Sequence, residues 1–177
     1  MIGLKRGTVQ LYDHDPAWEE EARRTILQLR NILGDVITDI QHVGSTSIRS
    51  IKAKPIIDIL AVVRDVNAID AFAPAMEALG YEAMGEFGIP GRRYYRKGGE
   101  NRTHQIHAFS EEDHWNIDRH LAVRDYLRAH PKEAKLYGDL KQRLAQQFPE
   151  DIERYCDGKD AFVKALEKRA YAWYFTK

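Results

Sequence analysis

His42-Val43-Gly44-Ser45-Thr46-Ser47-Ile48, followed by Lys54-Pro55-Ile56-Ile57-Asp58-Ile59-Leu60, decides how this chain is read. The stretch predicts a strand ending in a small-residue turn, then a second apolar strand that carries one carboxylate. Asp58 interrupts an apolar run from Ile56 to Val63, the pattern of a central strand buried on both faces. A carboxylate there is costly unless it is paired, hydrogen-bonded or metal-bound. Asp58 therefore reads either as a strand-end residue paired with Lys54 or an arginine, or as part of a metal or phosphate site. The Gly44-Ser45-Thr46-Ser47 turn divides the same way. It is either a polar turn in which Ser45 or Thr46 caps a short helix, or an anion cradle of N–H groups and hydroxyls. It lacks the Gly-Lys-Ser/Thr ending of a Walker A loop and the Gly-x-Ser-x-Gly pattern of a hydrolase nucleophile.

Upstream, Asp15-Pro16-Ala17-Trp18-Glu19 predicts a capped helix start, and Ala22, Ile26, Leu29, Ile32 and Leu33 continue it as an apolar stripe up to Gly34. Val36 to Val43 reads as a strand. Downstream, Ala68, Phe72, Met76 and Leu79 mark a helix closed by Gly80. Tyr81 to Phe87, Arg93 to Lys97 and Gln105 to Phe109 read as further strands. From Asp113 the pattern is helical, broken at His130-Pro131 and at Pro149, with a last helix expected from Ala161 to Phe175. This is an α+β chain in one domain: a mixed β-sheet core over about 11–110 with flanking helices, and a C-terminal helical block over about 111–177.

The chain has 177 residues, enough for a substantial core, and its 27 basic side chains balance 27 acidic ones. That balance argues against a main affinity for nucleic-acid backbone. No apolar run approaches the roughly 20 residues of a membrane helix and no signal-peptide pattern is seen, so no membrane association and a cytoplasmic location are expected. The single Cys156 excludes an internal disulfide and has no zinc or redox spacing. Trp18, Trp115 and Trp173 read as core or contact residues, and His114 and His120 as solvated helix residues.

Strand alternation puts Gln105 and His107 on one face and His104 with Ile106 on the other. His107 is either a hydrogen-bonded structural residue or, facing the same cleft as Asp58, a partner in holding a metal or orienting a nucleophile. Arg92, after a Gly-rich loop, either neutralises an anion or pairs with Glu86 at the surface. Arg124 and Arg128, four apart on one helix face, either reach the cleft or clamp the helix to the sheet.

The two opening motifs, with Gly85-Glu86-Phe87-Gly88-Ile89-Pro90-Gly91-Arg92 and Arg124-Asp125-Tyr126-Leu127-Arg128-Ala129-His130-Pro131, resemble the GrpB family from about Leu11 to Ala170. The resemblance implies a fold similar to nucleotidyltransferases of the polymerase-β type. The GrpB family also occurs as a domain attached to dephospho-coenzyme A kinase in some bacteria. The implied ligand is a nucleotide or other phosphorylated small molecule, coenzyme A related compounds among them. In active enzymes of this type a Gly-Ser turn holds phosphates, while two alternating carboxylates on the next strand and a third on a later strand bind metals.

Carried over, Gly44, Ser45, Thr46 and Ser47 would hold phosphate, and Asp58 would hold Mg²⁺ or Mn²⁺. His107 would serve as a supplementary ligand or general base, and Arg49, Lys54 or Arg92 would offset charge. The chain departs from the pattern at Leu60, the second carboxylate position, and at Gln105 and His107, where a third acid is expected. It also has Arg49-Ser50 where relatives have Pro-Gly, and Gln105-Ile106-His107 where they often have His-x-His. Two-metal transfer needs several anionic ligands. Three functional classes follow: metal-dependent nucleotidyl transfer, a non-catalytic ligand- or partner-binding module that keeps the cleft, or an interaction scaffold with an exposed apolar patch on its helical half.

Overall fold

The computed structural model describes all 177 residues. In chain order the elements are β1 (Leu4–Lys5), α1 (Pro16–Leu33), β2 (Ile37–Val43), β3 (Ile57–Val63), α2 (Val66–Ile69), α3 (Ala73–Ala78), β4 (Tyr81–Ala83), β5 (Arg93–Lys97), β6 (Asn101–Arg102), β7 (His104–Ser110), α4 (His114–Ala129), α5 (Pro131–Gln147) and α6 (Ile152–Tyr174). Five strands form one mixed sheet in the order β2-β3-β7-β5-β4, and β1 pairs with β6 beside it. Only β3 and β7 run parallel, with Asp58 opposite Gln105 and Leu60 opposite His107.

The alternation of β3 explains its apolar run. Ile57, Ile59, Ala61 and Val63 pack with Trp18, Ala22, Leu29 and Leu33 of α1, and all are at most 2% exposed. Leu60 and Val62 point to the opposite face, where Phe109 and the α4 residues Ile117 and Leu121 cover them. Each large side chain buried this way contributes about 2 kcal/mol. α1 begins as its sequence dictates: Asp15 Oδ1 accepts from the Ala17 N–H at 2.9 Å and Pro16 occupies the first turn. A third cluster joins Ile48 and Ile51, just after the turn, to Leu127, Tyr137 and Leu166 of α4, α5 and α6. The segment between β2 and β3 is thereby wedged against the helical block.

Three expected elements differ. The helix expected over 68–79 is split into α2, a 3₁₀ turn and α3. Pro74 within it has no N–H to continue the ladder. The strand expected from Tyr81 stops at Ala83, because Gly85 (φ 62°) and Phe87 (φ 47°) turn the chain. The last helix begins at Ile152 rather than Ala161, capped by Asp151, whose carboxylate accepts from the Arg154 N–H at 3.1 Å. Gly158 inside it serves a crossing, since a Cβ there would meet Leu144 Cδ2 of α5 at 2.5 Å. Trp18 is buried as expected, whereas Trp115 is 47% exposed beside Tyr171. No helix is long and apolar enough to cross a membrane.

Candidate functional site

The turn after β2 lies directly on the Asp58 carboxylate. Gly44 has φ 75°, and a Cβ there would stand 2.6 Å from Asp58 Oδ2. Only glycine combines that backbone angle with that close approach. Residues Ser45–Ser47 then form one 3₁₀ turn in which the Ser47 hydroxyl donates to the Gly44 carbonyl. His42 Nε2 meets Thr46 Oγ1 at 2.8 Å, and burial pushes the His42 pKa down to about 4, keeping the imidazole neutral.

Helix α4 grips the turn from outside. Arg124 Nη1 donates to Gln41 Oε1 at 2.7 Å and to the His42 carbonyl at 3.2 Å. Arg128 donates to the Ser47 carbonyl through Nε at 3.0 Å and Nη2 at 2.7 Å. Both arginines make the clamp, and Arg124 also lines a cavity of about 210 Å³ beside the turn.

Inside, Ser45 Oγ receives a hydrogen bond from Lys141 Nζ at 2.8 Å. Lys141 belongs to α5 and is 2% exposed. Its nitrogen lies 4.9 Å from the centre of the Tyr137 ring, one turn earlier. Burial, then the charges of Lys159 and Lys54, push its pKa well below that of an ordinary lysine, and Asp58 opposes this only in part. Lys54 is pushed down to about 8, first by burial and then by Lys159. Lys54 and Lys159 both lie over the Tyr155 ring, 5.4 and 5.0 Å from its centre. No carboxylate comes within 4.0 Å of these three amines. Ser45, Thr46, Lys54, Asp58, Gln105 and Lys141 line a cavity of about 60 Å³. That volume suits a few waters or one compact anion, not a nucleobase.

Asp58 is held from the other side. His107 Nε2 lies 3.0 Å from Asp58 Oδ1, and Arg92 Nη1 lies 3.3 Å from His107 Nδ1. An arginine can only donate, so Nδ1 accepts and the Nε2–H donates to Asp58. The His107 ring stacks on Tyr94 at 5.6 Å and meets His120 at 5.4 Å. Both nitrogens being engaged, His107 orients the carboxylate. Arg92 is 8% exposed and also donates to the carbonyls of Glu86 and Phe87, at 3.1 and 2.8 Å. It stands behind His107 rather than pairing with the Glu86 carboxylate at the surface.

The remaining expected residues lie outside the cavity. Arg49 is exposed and pairs bidentately with Glu19 of α1 at 2.7 and 2.8 Å. Ser47 is turned toward its own backbone. His120 is not the solvated residue expected: it packs on His107 and Phe109, donates to the Asn116 carbonyl at 2.6 Å, and burial pushes its pKa down to about 3.

The donor set does not suit a divalent cation. Leu60, at the second carboxylate position, is 0% exposed under α4. Gln105 is a neutral amide, one Asp58 oxygen already accepts from His107, and no three His, Cys, Asp or Glu side chains converge. Sequence reasoning missed Lys141, although a signal existed. Ala134, Tyr137, Lys141 and Leu144 are all buried on α5, so the lysine occupies a position in the apolar stripe.

A second cavity of about 210 Å³ shares Ser45 with the first. Gly44 and Ser45 form one wall, with Val123 and Leu127 of α4, Tyr137 of α5 and Glu167 of α6 opposite. Burial raises the Glu167 pKa, and Arg119 Nη1 stands 3.6 Å from its carboxylate.

The family model described as GrpB protein matches residues 8–169. The chain belongs to the GrpB family. It is 45% identical over 165 residues to the UPF0157 protein YqkA of Bacillus subtilis, covering 93% of this chain but 48% of that one. The chain thus spans about half the length of YqkA. It is 34% identical over 172 residues to the glutamate-rich protein GrpB of Alkalihalophilus pseudofirmus, covering 94% of this chain and 98% of that one. The crystal structure of conserved protein GrpB from Enterococcus faecalis superposes with a TM-score of 0.91 at 43% identity, over 94% of this chain and 99% of that one. The fold of this GrpB-family chain is nucleotidyltransferase-like. The Cid1 poly(U) polymerase with Mg 3′-dATP bound superposes at a TM-score of 0.53 and 14% identity, over 77% of this chain and 43% of that one.

Proposed function

We propose that this GrpB-family protein binds a phosphorylated small molecule, a nucleotide above all. A phosphate would enter the cavity between Ser45, Lys54 and Lys141, and the organic part would lie in the larger cavity that shares Ser45. The observation that carries this reading is the buried Lys141 amine on Ser45 Oγ. Burying a lysine without a carboxylate partner is unfavourable, and Lys54 and Lys141 on the wall of one small polar cavity, with the Lys159 charge nearby, are a standing electrostatic cost. An anion entering beside Ser45 offsets that cost, and phosphate offers the oxygens that hydroxyls and amines can share. The mixed, part-apolar wall of the 210 Å³ cavity suits a nucleoside-like group. Isothermal titration with nucleotides and coenzyme A precursors, each beside its unphosphorylated counterpart, tests the reading. Only the phosphorylated compounds are expected to bind, and Lys141→Met should weaken that binding about tenfold or more. Equal binding of the unphosphorylated compounds would overturn it.

Nucleotidyl transfer is a second reading, favoured by the fold shared with Cid1, which is a poly(U) polymerase crystallised with Mg 3′-dATP. Asp58, oriented by His107, is the one carboxylate that reading has for Mg²⁺ or Mn²⁺. Release of pyrophosphate from labelled nucleoside triphosphates with either metal would support transfer. Binding without release would leave the binding module.

A further inference from the structure

We propose that the cavity takes its phosphate without a divalent metal ion, Lys54 and Lys141 supplying the positive charge. This rests on the phosphate-binding reading above and adds how the charge is balanced. The first support is the donor set. A metal beside Asp58 would find one free carboxylate oxygen, since His107 Nε2 holds Oδ1 at 3.0 Å. The next position on the strand is the sealed Leu60 and the facing residue is the amide Gln105. Divalent ions of the Mg²⁺ type bind through several hard oxygens and normally lean on more than one anionic group.

The second support is what surrounds the cavity. Lys54 stands before β3, Lys141 on α5 and Lys159 on α6, and the charged group facing Lys141 besides these two lysines is Asp58. Two amines on the wall, with the Lys159 charge nearby, against one carboxylate disfavour a metal ion and favour an anion. Lys141 Nζ already touches Ser45 Oγ, so an oxygen placed on that hydroxyl lies within reach of the amine as well.

Proton uptake is the consequence that separates amines from a metal. Burial and mutual repulsion lower both pKa values in the unliganded cavity, so protons are held less tightly there than on ordinary lysines. A phosphate restores the protonated forms, so binding draws protons from solution, most visibly above pH 8, where Lys54 is losing its own. A metal-bridged phosphate requires no such uptake.

The experiment is calorimetric titration of the full chain with inorganic tripolyphosphate at pH 8.5, in two buffers of different ionisation enthalpy. It is run with EDTA and again with millimolar Mg²⁺. Binding is expected in EDTA with net proton uptake and without tightening by Mg²⁺. Lys141→Met should weaken it about tenfold or more, equivalent to about 1.4 kcal/mol. Lys54→Met serves as the second variant, and thermal unfolding verifies that each variant is folded. Binding that appears only with Mg²⁺ and vanishes in Asp58→Asn would overturn the metal-free assignment while leaving phosphate binding in place. Binding in EDTA with no proton uptake would overturn the role of the lysines. Absence of binding under every condition would overturn both this inference and the reading on which it rests.

Discussion

Lys54→Met should stabilise the fold at neutral pH, and the gain should disappear in alkali. The amine of Lys54 lies over the Tyr155 ring and on the wall of the 60 Å³ cavity. Its pKa falls from 10.5 to about 8, by burial first and by the Lys159 charge second. At about 1.4 kcal/mol per unit, that difference corresponds to about 3 kcal/mol between the folded and unfolded chains. The sign follows from proton counting. The folded chain gives up this proton more readily than the unfolded chain, so the full cost weighs on the fold below about pH 8. The cost is shed as pH rises from there toward the unfolded value of 10.5.

Methionine keeps the linear apolar stem and removes the charge. The amine's contact with the Tyr155 ring is worth about 1 kcal/mol, leaving a net gain of about 2 kcal/mol at pH 7. Urea denaturation of both proteins at about pH 7 and pH 10 reads the two ends of the window. A loss of stability at pH 7, or a difference that does not change with pH, would refute the reasoning. The same substitution should weaken phosphate binding, so stability and binding move in opposite directions.

Gly44→Ala should cost about 1–3 kcal/mol in urea denaturation and reduce ligand affinity. A Cβ at φ 75° would press on Asp58, and wild-type stability would rule out that approach of turn and carboxylate. Leu60→Asp restores the missing acid in sequence but places it under Ile117 and Leu121, and should destabilise by about 3–5 kcal/mol. A well-folded variant with Mg²⁺-dependent pyrophosphate release would contradict the sealed position. His107→Phe keeps a ring on Tyr94 but removes the bonds to Asp58 and Arg92. It should lower stability by about 1–3 kcal/mol, and an unchanged denaturation midpoint would remove His107 from its positioning role.

The turn and its carboxylate were legible because both signals are local. Gly44 directly follows β2 and Asp58 lies 14 residues on in the adjacent strand, where a polar residue in the apolar run of β3 stands out on inspection. The face shared by Gln105 and His107 followed from alternation alone. Lys141 was not legible in the same way, since it reaches Ser45 across 96 residues and lysine ordinarily marks a solvated helix face. Its place in the apolar stripe of α5 was the available clue. Arg49 sits beside the turn in sequence, yet Glu19, thirty residues earlier, draws it to the outside. His120 carries no local sign of burial, which arises when α4 folds over β7. Pairings between distant charged residues depend on how helices dock, and periodicity does not encode that.

The central claim is that phosphate is bound between Ser45 and the buried lysines. A crystal structure of the protein grown with tripolyphosphate tests it most directly. A phosphate oxygen is predicted within hydrogen-bonding distance of Ser45 Oγ and Lys141 Nζ, with Lys54 alongside. Phosphate seated instead in the outer groove against Arg49 and Arg128, with the 2.8 Å bond from Lys141 to Ser45 undisturbed, would contradict it.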